Sequence, residues 1–176
     1  MQKKITFSFF SILFLLLIAC SEEEYSQKRK PSILTNKEIG YYCNMTVINH
    51  KGPKGQIHLK NNTKTIWFSS VRDTIAFTLL PEEPKDIEVI YVSDMSTLNS
   101  WEDTNNITWI NAKNAFYVIG SSKLGGMGVS EVIPFKTKTN ADLFVKQHGG
   151  NIINFDNIPK NYVLEIDKND MGHEKM

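Results

Sequence analysis

The chain has 176 residues, 41% hydrophobic and 22% charged, which suits one packed domain or two very small ones and excludes wholesale disorder. Its 20 Lys and Arg nearly cancel 19 Asp and Glu, for a formal net charge of +1. The concentrated basic surface of a nucleic-acid binder is therefore absent, and a single long apolar run, at the N-terminus, excludes a polytopic membrane protein.

That run is read first, as a targeting segment. Lys3 and Lys4 precede residues 5–19, which are apolar apart from Thr6, Ser8 and Ser11. A membrane-spanning helix needs about 20 apolar residues, so the shorter run suits a signal sequence. It ends Leu17-Ile18-Ala19-Cys20, which resembles the bacterial lipobox. The resemblance implies a lipoprotein signal peptide over 1–19 and a lipidated Cys20, whose acyl chains anchor it with about 0.8 kcal/mol per buried methylene. Ser21 is not the aspartate that often retains lipoproteins at the inner membrane. The expected location is the cell envelope, facing the periplasm from the outer membrane. Residues 20–39 are polar and aperiodic beyond the cysteine and are expected to form a flexible tether.

The body is expected to contain two ββαβ units, over 40–105 and 106–166. In chain order, strands are predicted over 41–48, 56–60 and 65–68. A helix follows over 71–80, capped by Ser70 with Asp73 three residues on and stopped at Pro81, then an alternating strand over 87–92. The second unit repeats the sequence of elements. Strands are expected over 109–110, 115–121 and 129–135, a helix over 140–148 capped by Thr139 and stopped at Gly149-Gly150, and a strand over 151–155. The copies share spacing: Ile66-x-Phe68 leads to Phe77 as Ile133-x-Phe135 leads to Phe144. Neither unit has much core of its own, so the fold expected is α+β, with two similar small ββαβ units packed together. One more strand is expected over 162–166 and a mobile charged tail over 167–176.

The chain has two cysteines. With Cys20 lipidated, Cys43 is a lone thiol in an oxidising compartment, with a buried, catalytic or metal-bound role open to it. Cys43-Asn44-Met45 on a strand would place thiol and thioether on one face. Two readings fit that face: an ordinary apolar core or a soft metal site, which would select Cu(I). Met127, flanked by glycines in Leu124-Gly125-Gly126-Met127-Gly128, is placed to stay exposed and to supply a third soft ligand. His50 lies just beyond the expected strand and can add an imidazole. His58 is expected to face solvent, His148 to sit at a helix C-terminus, and His173, with Met171 and Met176, to belong to a solvated tail. No nucleophile elbow or phosphate loop accompanies these residues, so no enzyme is expected.

Together, Cys43-Asn44-Met45, His50, the run Gly52-Pro53-Lys54-Gly55-Gln56-Ile57, the segment Ala115-Phe116-Tyr117-Val118-Ile119-Gly120-Ser121, and Met127-Gly128 with Phe135 and Phe144 downstream resemble the NosL family. These are accessory lipoproteins of nitrous oxide reductase. The resemblance implies a fold of two ββαβ units and a periplasmic chaperone delivering Cu(I) for the reductase's copper–sulfur centre. It also implies partners in the apo-reductase and its membrane assembly and transport proteins. The implied ligands are Cys43, Met45 and Met127, with His50 as a further donor. Asn44 stands where the family usually has glycine, and Asn49 where it often has an acidic residue. The alternatives are a general copper-storage lipoprotein and a non-metal lipoprotein with Cys43 in its core.

Overall fold

A computed structural model describes residues 29–165 apart from 99, 105 and 106. The expected signal peptide, Cys20 and the tail with Met171, His173 and Met176 lie outside the described residues. The elements are β1 Gly55–Leu59, β2 Thr65–Phe68, α1 Val71–Leu79, β3 Ile87–Ser93, β4 Trp109–Asn111, β5 Phe116–Ile119, β6 Ile133–Phe135, α2 Lys138–His148, β7 Asn151–Asn154 and α3 Lys160–Leu164. Among the described residues no helix is long and apolar enough to cross a membrane.

The fold is α+β, with two small sheets built alike. In the first, β1 is central and antiparallel to both β2 and β3; in the second, β5 is central between β6 and β7. The repeated phenylalanines fall at matching places: Phe68 and Phe135 end the hairpin's second strand, and Phe77 and Phe144 sit in the helix that follows. Pro134, which has no N–H to donate, is tolerated because β6 is an edge strand.

The packing differs from simple face-to-face stacking of equals. Ile57, Phe68, Ile75, Phe77 and Val92 of the first unit share one core with Tyr117 and Val132 of the second. On β5 the side chains alternate, so Val118 faces the other way, into a smaller core with Ile133, Phe135 and Ala141 beneath α2. The second sheet thus separates two apolar clusters.

Several expectations need correction. Residues 41–48 are not a strand; they form a turn and the 3-10 segment Val47–Asn49. Trp109 and Ile110 pair with β3 and extend the first sheet rather than the second. The second helix begins earlier, because Thr137, not Thr139, accepts from the Asn140 N–H. Residues 160–164 are helical, not extended: Pro159 opens α3, and the Arg72 guanidinium binds the Val163 carbonyl at 3.0 Å and that of Glu165. Those late carbonyls have no partner within the helix, so Arg72 fixes its end. Ser70 does cap α1, accepting from Asp73 N–H at 3.3 Å, and α2 ends at Gly149 with φ +72°.

The largest surprise in the first sheet is its outer face. His58 was expected in solvent, yet it and Gln56 are fully buried. Residues 29–32, assigned to the tether, lie across that face. The Gln56 side-chain amide accepts from Ser32 N–H at 2.8 Å and donates to Ser32 O at 3.1 Å. Arg29 pairs with Glu88 at 3.3 Å, and Tyr91 donates to Arg29 O at 2.7 Å. Alternation along β1 therefore does not separate inside from outside, because both faces of this central strand are covered.

Candidate metal centre

Cys43 and Met45 occupy a tight turn on the edge of the first sheet. Gly40 N–H donates to Met45 O and Asn44 N–H donates to Gly40 O, both at 2.9 Å, while Tyr41 N–H ties the turn to Trp67 O of β2 at 2.8 Å. Asn44 has φ +53°, the left-handed conformation that Asn tolerates better than other residues with a β-carbon. Cys43 and Met45 are therefore held together by a turn, not by strand alternation, with Cys43 Sγ 4.0 Å from Met45 O. Gly40 is required here: a Cβ on it would stand 2.6 Å from Cys43 Sγ. Met45 is exposed, Cys43 half-buried. Cys43 Sγ lies 3.4 Å from Ser69 Oγ, a side chain 2% exposed.

His50 follows the 3-10 segment, its N–H bound to Val47 O at 3.2 Å. Burial and then the Lys54 ammonium hold its imidazole below the ordinary value, which leaves a neutral ring with a lone pair at neutral pH. The long connection between β5 and β6 packs directly on it. A Cβ at Gly126 would stand 2.9 Å from His50 Cβ and 3.2 Å from Nδ1, so only glycine allows this approach. Met127 is next in the chain and 49% exposed, as its glycine neighbours led us to expect.

Glu131 links the two regions. It is 2% exposed, and its Oε1 accepts from Ser70 hydroxyl at 3.2 Å, Arg72 N–H at 2.8 Å and Val132 N–H at 2.9 Å. Its Oε2 sits 2.8 Å from where a Cβ of residue 125 would be. Burial pushes this carboxyl up to about 7, against the hydrogen bonds from Val132, Arg72 and Ser70. Lys54, fully buried, donates to Gly52 O at 2.6 Å, and burial brings it down to about 8 while the Glu131 charge pulls it back up. Cys43, beside Ser69, and the Met127 loop, beside Glu131 and His50, are thus joined through Ser69-Ser70 and Glu131.

Among the described residues no three His, Cys, Asp or Glu side chains cluster as metal ligands. The sequence-predicted donors are one thiol, two thioethers and one imidazole; Cys43 and Met45 share one turn, while His50 lies against the glycine loop that carries Met127. Such soft donors fit zinc or calcium poorly. His148 lies in the last turn of α2 against the Phe144 ring, centroids 4.6 Å apart, and is a helix-end residue as expected.

The NosL family model matches residues 31–163. The chain belongs to the NosL family. It is 38% identical over 165 residues to the copper-binding lipoprotein NosL of Achromobacter cycloclastes, covering 93% of this chain and 85% of that one. To the copper-binding lipoprotein NosL of Stutzerimonas stutzeri it is 31% identical over 150 residues, 85% of this chain and 77% of the relative. The crystal structure of the copper chaperone NosL from Shewanella denitrificans superposes with TM-score 0.68 at 32% identity, covering 74% of this chain and 96% of that one. The resemblance to NosL led us to expect glycine at position 44; the turn has a positive φ there, and Asn supplies it.

Sequence reasoning missed Ser69, Glu131 and Lys54. Only Lys54 sat in a run that carries the family resemblance, and nothing in Gly-Pro-Lys-Gly signals that its side chain is buried.

Proposed function

We propose that this protein is a lipid-anchored Cu(I) chaperone that delivers copper for the copper–sulfur centre of nitrous oxide reductase. Its relatives are named as copper-binding lipoproteins and a copper chaperone. The observation that carries the reading is the pair of exposed thioethers, Met45 at 43% and Met127 at 49%. Met45 shares its turn with the Cys43 thiol, and that turn is linked to the Met127 loop indirectly, through Ser69-Ser70 and buried Glu131. Exposure leaves both thioether side chains accessible from solvent, and their softness suits a copper cargo.

In this reading Cys43 binds as thiolate, Met45 and Met127 as thioethers, and neutral His50 is a further donor. Ser69 hydroxyl can donate to the sulfur and steady it. Few ligands on surface loops let an incoming donor on the acceptor replace them one at a time, so copper passes without being released to water. Acylated Cys20 and the following residues keep the carrier in the envelope, near the apo-reductase and its membrane assembly proteins.

The test is anaerobic Cu(I) competition against a chromophoric chelator, followed by mixing the loaded protein with apo-reductase. One tight site, lost in Cys43→Ser and weakened in Met127→Ala, with copper then appearing in the reductase, is the expected result. Tight binding without transfer would leave a storage protein. Absence of competition would return Cys43 to a packing role.

A further inference from the structure

The Cys43 turn is preceded by two tyrosines whose arrangement the copper ligands alone do not explain. Tyr41 and Tyr42 are 46% and 37% exposed, so both residues stand at the surface. Both hydroxyls converge on one carboxylate. Tyr41 Oη donates to Glu83 Oε2 at 3.0 Å and Tyr42 Oη to Glu83 Oε1 at 2.8 Å. Glu83 is only 9% exposed and is itself fixed in the turn after α1, its N–H on Leu80 O at 3.3 Å. The rings are seated as well: Tyr41 packs edge-on against Tyr42 and Phe77, centroids 5.1 and 5.4 Å apart, and Tyr42 lies 5.7 Å from Phe68.

Hydrogen bonds to a charged acceptor are stronger than neutral ones, and are more than a solvated loop position requires. These two bonds tie residues 41 and 42 to the end of α1, and Cys43 follows directly. Asn44 and Met45 then close back on Gly40 through backbone hydrogen bonds. A turn so fastened presents its sulfur atoms in a preset geometry, which lowers the ordering cost of binding.

We infer that Glu83 is a positioning residue for the copper site, holding the Cys43-Asn44-Met45 turn in its binding shape through the Tyr41 and Tyr42 hydroxyls. The inference rests on the copper-chaperone reading and adds a residue that touches no metal ligand. Loosening the clamp should leave the ligands in place yet let copper leave faster.

The experiment compares wild type, Glu83→Ala and the double variant Tyr41→Phe/Tyr42→Phe, which keeps both rings and guards against a folding failure of the first. Amide hydrogen exchange in the copper-free protein is followed at Gly40 and Asn44, with β1 and α1 amides as controls. Cu(I) dissociation to a chelator is followed by stopped flow. The expected result is exchange about tenfold faster at Gly40 and Asn44 with the controls unchanged, as for loss of local fastening. Copper dissociation should then be about threefold to tenfold faster in both variants, less than the roughly 10–100-fold for a direct partner of a metal ligand, because Glu83 acts one step further out. Combining Glu83→Ala with Tyr41→Phe and Tyr42→Phe should add little to either effect, because the residues act as one unit; effects that simply add overturn the single clamp. Unchanged exchange overturns the clamp, and faster exchange with unchanged copper dissociation reduces it to packing. A wild type that binds no Cu(I) sinks the copper reading itself, and the exchange data, which need no copper, then show only a structural clamp.

Discussion

The two ββαβ units share a topology and divide the work. In the first, β1 and β2 are joined by residues 60–64, and α1 buries Val71, Arg72, Thr74, Ile75 and Phe77. In the second, β5 and β6 are joined by residues 120–132, and α2 buries only Ala141. The first unit therefore supplies most of the shared core. The second leaves its helix half in water and spends its hairpin connection on the loop that carries Met127. A duplicated fold can specialise without changing strand order, by lengthening one connection and thinning one helix's apolar face.

The equivalent phenylalanines test that division most strongly. Phe77→Ala, at a fully buried position, should cost about 3–5 kcal/mol in urea unfolding, and Phe144→Ala, partly buried on α2, about 1–2 kcal/mol. Equal costs would break the comparison.

Glu131 belongs to the second unit but is bonded to Ser70 and Arg72 of the first, and it makes stability pH-dependent. Its folded value, about 7, is raised above 4.5, so between those values the folded state keeps a proton that the unfolded state loses. The contribution is fully present below about 4.5 and lost as pH rises through about 7. Comparing wild type with Glu131→Gln from pH 4.5 to 8, wild type should lose up to roughly 3 kcal/mol relative to the variant. Parallel curves would mean that Glu131 does not keep its proton on folding.

Smaller effects fall at the site loops. Asn44→Ala should cost about 1 kcal/mol for a β-carbon less tolerant of positive φ, and Asn44→Gly close to nothing. Met127→Ala should change unfolding free energy by less than about 0.5 kcal/mol, as for an exposed side chain, while weakening copper binding. A large stability loss there would make the loop part of the core.

Much of the fold was legible because spacing records it. The Ile-x-Phe to Phe interval marked both strand–helix units, and Ser70 and Pro81 bounded α1. The misses have physical causes. Tyr41 to Ile48 alternates like a strand, but pattern does not reveal that Gly40 closes against Cys43 or that Asn44 turns left-handed. Residues 160–164 are helical because Arg72, far away in sequence, binds the end carbonyls. His58 is buried because residues 29–32 cover its face, a contact that no local period encodes. At the site, glycine context pointed to an exposed Met127, whereas Ser69, Glu83 and Glu131 act through distant partners and leave no linear signal.

The central claim, that a turn from the first unit and a loop from the second hold one copper ion together, is tested most directly by X-ray absorption at the copper edge of the anaerobically loaded protein. The account predicts a sulfur shell that shrinks in Met127→Ala and again in Cys43→Ser. A sulfur shell identical in wild type and Met127→Ala would contradict it, and would place the ion on the Cys43 turn without the second unit.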